Sequence, residues 1–130
     1  MAGWRKRSLV VVIGDGAPWI WNLAAEHFPG AVQIVDLYHA KEHVWEVAHA
    51  VFGRGTAAGT LWATQACSLL EQGQSEALVS AISALPPIAP EPGQARSCPE
   101  RAGDYFTVNA ARMRYPVFRA EADAPGQRHR

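Results

Sequence analysis

The sequence has little cysteine, no excess charge of either sign and no long hydrophobic run, and each shortage narrows what it can be. Its two cysteines, Cys67 and Cys98, lie far apart and fit no metal-ligand spacing; they read as reduced thiols of a cytoplasmic protein. Twelve basic residues balance twelve acidic ones, so bulk charge points to no nucleic-acid partner. The distribution adds Arg5, Lys6 and Arg7 at one end and Arg112, Arg114, Arg119, Arg128 and Arg130 at the other. Such basic ends either touch phosphate or stand solvated. No apolar stretch approaches the roughly 20 residues that span a bilayer, so no membrane partner is expected. The run Leu9 to Ile13 follows a basic start as in a signal peptide, but it meets Gly14-Asp15-Gly16 with no small-residue cleavage site. What remains, 130 residues with 48% hydrophobic and 18% charged, suits one small globular soluble domain with a modest core.

Local patterning predicts an α/β chain. Ser8 to Ile13 is a β-branched run without alternation, as in a strand covered on both faces of a parallel sheet. Pro18 suits the first position of a helix, Trp19, Ile20, Leu23, Ala24 and His27 recur at helical spacing, and Pro29-Gly30 stops the pattern. Ala31 to Leu37 reads as a second strand, which makes a βαβ unit with parallel strands. From His39 the period becomes helical. Val44, Ala48, Val51 and Phe52 mark a helix closed by Gly53; Leu61, Trp62, Ala66, Leu69 and Leu70 mark one closed by Gly73. Ser75 is expected to cap a third, carrying Leu78, Ile82 and Leu85. Five prolines between residues 86 and 99 predict an extended connector. Glu100 to Met113 is expected as a last helix with Tyr105, Phe106 and Met113 on its apolar side, and the stretch from Glu121 as disordered.

The sharpest chemical signal is Asp15, held between two glycines at the carboxyl end of the first strand. Ligands and catalytic groups gather at that edge of parallel sheets, and flanking glycines allow close approach. Asp is equally a turn former and helix cap, and both readings stand. Gly14 to Trp19 half-matches the dinucleotide fingerprint, with Trp19 where the third glycine belongs; a small nucleotide-binding protein is therefore one alternative. A second cluster holds Asp36, His39, Glu42 and His43. Adjacent parallel strands about 4.8 Å apart would bring Asp15 and Asp36 to one edge. Two carboxylates and an imidazole can share a divalent metal, and His39 and His43 have the i, i+4 spacing that zinc sites use. A structural role for His39, capping the helix or bonding Asp36, is the preferred expectation. Trp19, Trp21, Trp45 and Trp62 are expected as packing anchors, with Trp21 off the main apolar stripe.

The stretch Val11 to Val47 carries four ordered elements: G-D-G-A at Gly14–Ala17, W-I-W-N at Trp19–Asn22, F-P-G-A at Phe28–Ala31 and D-x-Y-H at Asp36–His39. In that order they resemble the catalytic region of Kra-type insertion-sequence transposases, relatives of the Mutator-like group with a ribonuclease H-like DDE core. Pro86 to Pro116 is similar to that family's Pro-rich connector and its Y-F-x-x-N-A-x-R-M-R-Y-P stretch. The resemblance covers roughly residues 9–119.

It implies that Asp15 is the second of three catalytic carboxylates, which hold Mg2+ or Mn2+ for cleaving and joining DNA strands. Two such ions about 3.5–4 Å apart activate the attacking oxygen and stabilise the leaving one. Asp36 and His39 gain a place near the site. The resemblance also implies a first carboxylate upstream of this chain and a glutamate within a G-S-G-x-x-E stretch soon after M-R-Y-P. After Phe118 the sequence departs from the family, as a frameshift or early end would make it, and Glu121 in the expected tail is no substitute. The organisation expected is a partial ribonuclease H-like core at 8–38, a helical insertion at 39–85, a Pro-rich connector at 86–99, a final helix at 100–118 and a disordered tail at 119–130. The chain reads as an inactive transposase fragment, or as a regulatory module that binds an intact, full-length transposase. Two strands of a sheet of about five leave open edges, from which partial order, self-association or degradation is expected.

Overall fold

The computed structural model describes residues 10–122. Strand β1 (Val11–Gly14) and strand β2 (Val32–Val35) pair in parallel, with Val11 opposite Val32 and Gly14 opposite Val35. Helix α1 (Pro18–His27) connects them, opened by Pro18 in its first turn, so the βαβ unit expected from the sequence is present. Gly30, at φ 84°, turns the chain back toward β2, a conformation that glycine adopts without steric cost.

Two expectations fail within this unit. The first strand is not covered on both faces: Val11 and Ile13 remain 46% and 63% exposed, because no described element lies over them. The apolar stripe of α1 also differs. Trp21 and Ala24 are buried while Trp19 and Leu23 face outward. Helical spacing fits both faces, and contact with the rest of the fold chooses Trp21, whose ring meets Gly14 and the Arg112 guanidinium. Ser8, Leu9, the Arg5–Arg7 run, Arg128 and Arg130 lie outside the described residues.

Asp36 begins helix α2 (Leu37–Phe52), its carboxylate accepting the N–H of His39 at 3.3 Å. Helix α3 (Ala57–Glu71) is capped by Thr56, and helix α4 (Ser75–Ser83) follows Gly73. Ser75 is not the cap: it is the first helical residue, buried, with Gln74 in the cap position. After an irregular Pro-rich connector, helix α5 (Cys98–Val108) starts at a capping box in which Ser97 and Glu100 bond each other's backbone N–H groups. These bonds satisfy donors that a helix start otherwise leaves free.

The helix expected to run to Met113 stops at Val108, five residues early. A 3-10 turn (Ala110–Arg112) and helix α6 (Tyr115–Ala122) replace its end. Asn109 closes α5 as its C-cap, and the start of the later helix is set by Pro116. It cannot sit inside a continuous helix, but it fits the first turn of a new one. Residues 119–122, Glu121 among them, are accordingly helical rather than part of a tail; residues 123–130 lie outside the described part.

One core joins these pieces. Helix α2 packs on α3, α4 on α5, and the 3-10 turn on β2. Val44, Val47, Leu70, Leu78, Phe106 and Met113 are fully buried in it, and Val35 of the sheet and Trp21 of α1 belong to the same cluster. Among the described residues no helix is long and apolar enough to cross a membrane.

Phe106→Ala should lower stability by about 3–5 kcal/mol, the usual cost of emptying an aromatic's place in a core, as read from urea unfolding. The outer face of β1 yields a second expectation. Sedimentation velocity should show concentration-dependent self-association that a Val11→Lys, Ile13→Lys chain loses, since charge on an open edge opposes pairing; a parent chain that stays monomeric at high concentration would contradict this.

Candidate functional site

Asp15 follows the last residue of β1 and is exposed. Its Oδ1 accepts the N–H of Ala17 at 2.9 Å, an aspartate turn that leads the chain into α1. The turn-forming role is thus real, and it engages one of the two carboxylate oxygens.

Gly16 has φ 97°, and a Cβ there would lie 2.7 Å from the ring of Tyr105. Glycine is therefore required twice, by conformation and by space. The group that approaches it is Tyr105, whose hydroxyl donates to the backbone carbonyl of Asp15 at 2.9 Å. The same phenol stacks on His43, ring centres 3.9 Å apart and planes 24° from parallel. Burial, with the Asp15 and Asp36 charges adding to it, pushes the Tyr105 phenol up to about 12. Burial likewise holds the His43 imidazole below its ordinary range, against the pull of Glu46, Glu42 and Asp15.

Asp36 occupies the matching place after β2. Its N–H donates to the Gly14 carbonyl at 2.7 Å, which extends the ladder one bond past the strands. The two aspartates therefore end adjacent strands at one edge. His39 is tied to Asp36 by its backbone N–H. Its imidazole turns away to Glu42, Nδ1 to Oε1 3.2 Å, so the expected link to Asp36 exists through the main chain and not the ring.

Three further contacts bring the segment after α5 onto this unit. Tyr115 donates its hydroxyl to the Val35 carbonyl at 2.8 Å. Arg112 donates from Nε to Gln33 Oε1 at 2.8 Å and from a terminal nitrogen to Asn109 Oδ1 at 3.0 Å. Its guanidinium carbon lies 4.5 Å from the centre of the Trp21 ring, a cation–π contact. Burial raises the Tyr115 phenol and lowers the Arg112 guanidinium. Reasoning from local pattern singled out none of Tyr105, Arg112 or Tyr115 as a partner of the βαβ unit. The available signal was the Y-F-x-x-N-A-x-R-M-R-Y-P stretch itself, whose two tyrosines and first arginine make these contacts.

A pair of magnesium or manganese ions needs several oxygen ligands in a fixed arrangement. The strand ends offer Asp15 and Asp36, and among the described residues no three of His, Cys, Asp and Glu assemble into a metal-holding group. The described donors do not by themselves fit that pair of ions. No family model matches the chain, and neither does a curated protein or a solved structure.

Tyr105→Phe deletes one hydrogen bond and should cost about 0.5–1.5 kcal/mol. The phenol's folded value near 12 lies above its ordinary 10.0, so the folded state holds this proton more tightly than the unfolded one. The corresponding stability is whole below pH 10 and is lost as pH rises toward 12. Urea unfolding across that window should show the parent chain losing more stability than Tyr105→Phe; parallel losses would contradict the assignment.

Proposed function

We propose that this chain is part of the catalytic region of a metal-dependent DNA transposase, with Asp15 one of its three carboxylates, and that it does not cut DNA by itself. One observation carries the reading. The two separate stretches that resemble the transposase family, Val11 to Val47 and Pro86 to Pro116, are joined by three long-range hydrogen bonds, Tyr105 to Asp15, Arg112 to Gln33 and Tyr115 to Val35, and the first of them holds the loop of the aspartate that the resemblance implies.

On this reading the chain's own residues perform the positioning part of the work. The turn from Asp15 to Ala17 fixes one carboxylate oxygen of an exposed side chain. Tyr105 pins the loop from behind by holding its main-chain carbonyl, so the carboxylate is set without occupying its oxygens. Such preorganisation is what metal-assisted phosphoryl transfer asks of a protein, because the ions supply the charge stabilisation. The donors described fall short of a two-ion cage, and no catalytic step is assigned to this chain alone.

An exposed apolar surface favours a second reading, a regulatory module that joins an intact transposase and poisons it. Val10, Val11, Ile13 and Trp19 lie open around β1, where a partner's strand or helix would bury them.

The DNA around the reading frame tests the primary proposal. Upstream and shifted frames should encode a strand ending in aspartate and a G-S-G-x-x-E segment; finding neither would overturn it. The purified chain with magnesium should leave supercoiled DNA intact, and nicking that disappears in Asp15→Ala would refute the inactivity. Co-purification with a full-length relative would single out the regulatory reading.

A further inference from the structure

We propose that His39 and His43 form a chelating pair for an imidazole-preferring divalent cation such as zinc or nickel, on the outer side of α2 and apart from any magnesium chemistry at the carboxylates. The two histidines stand one helical turn apart, on the same side of the helix. Their ring centres are 5.0 Å apart and their planes cross at 79°.

That spacing of ring centres is compatible with a shared ion. With zinc–nitrogen bonds of about 2.0–2.1 Å and tetrahedral bond angles, each ring centre lies roughly 3.2 Å from the metal. Two such centres then fall about 5 Å apart. The observed separation requires no rearrangement of the helix.

Each imidazole has a carboxylate three residues further on. Glu42 Oε1 lies 3.2 Å from Nδ1 of His39, and Glu46 Oε1 lies 3.6 Å from Nδ1 of His43. The first contact has hydrogen-bond length and favours the His39 tautomer with its proton on Nδ1, which leaves Nε2 as the lone-pair donor; the second is longer than a hydrogen bond. Metal-binding histidines are commonly held this way, by a carboxylate on the ring nitrogen that does not bind.

The pair is also held in place and reachable. Ala40, Val44, Val47 and Ala48 bury the adjoining face of α2, which fixes the helix. Tyr105 stacks on His43 from the core side. The side chains of His39 and His43 keep 37% and 29% exposure, and they line an open hollow with Tyr38, Trp45 and His49. Among the described residues no third protein ligand joins the pair in this arrangement, so water would complete the coordination. Two imidazoles with water suit zinc or nickel and give magnesium little.

Binding would tie His43 more firmly and so brace the phenol that holds the Asp15 loop. The inference does not depend on the transposase reading, and either can fail without the other.

Calorimetric titration of the metal-stripped chain with zinc at neutral pH provides the test. One site is expected, with no comparable heat from magnesium. Losing even an outer partner of a metal site costs about ten- to a hundredfold, so His39→Ala and His43→Ala should each weaken zinc by at least tenfold, while His49→Ala should not. His39 lies outside the Tyr105 stack, so His39→Ala decides the matter if His43→Ala disturbs folding by circular dichroism. Zinc affinity unchanged in His39→Ala, lost instead in a Cys67→Ser, Cys98→Ser chain, or absent in the parent would overturn the proposal.

Discussion

Two backbone carbonyls at the end of a very small sheet have to be satisfied, and much of this structure follows from how that is done. A two-stranded parallel sheet has little stability of its own, and the carbonyls of Asp15, just past β1, and of Val35, the last residue of β2, have no further strand to bond. Here each is met by a tyrosine hydroxyl from far along the chain. Tyr105 reaches Asp15 across 90 positions, and Tyr115 reaches Val35 across 80. Those bonds fasten the βαβ unit to the helical body and fix the loop that carries Asp15.

Asp36 couples the same edge to the helices from the other side. Its main chain prolongs the ladder to Gly14, and its side chain starts α2. The orientation of α2, and with it the position of His43 against Tyr105, is therefore tied to the sheet register. Gly16 completes the arrangement, since any side chain there would displace the phenol. A transposase reading gives this network a purpose, holding one carboxylate at a fixed place. The His39–His43 pair adds a point where a bound cation would stiffen the same network through His43.

Much of the fold was legible because its signals are local. The β-branched runs, Pro18, Gly53 and the helical periods marked the strands and the first four helices to within a few residues. The errors arose where a distant contact decided. Trp19 and Trp21 both suit a helix face, and only the Arg112 and Gly14 side settles that Trp21 is buried. The open face of β1 could not be read from a uniformly apolar run, which looks alike whether or not anything covers it. Pro116 was a local sign that no single helix runs through residues 100–118, which the expected final helix passed over. At the site, Asp15 was visible from its glycines and Asp36 from the end of the second run. Tyr105, Arg112 and Tyr115 were not, because periodicity carries no information across 80 or 90 positions.

The account rests most heavily on the phenol clasp, and amide hydrogen exchange tests it most directly. In a Tyr105→Phe, Tyr115→Phe chain, exchange at Ala17 and Asp36 should accelerate strongly while the amides of α2 and α3 keep their protection. That pattern would show the Asp15 edge opening as a unit released from an intact helical body. Unchanged protection at Ala17 and Asp36 would contradict it, because the edge would then be held by something other than the two hydroxyls.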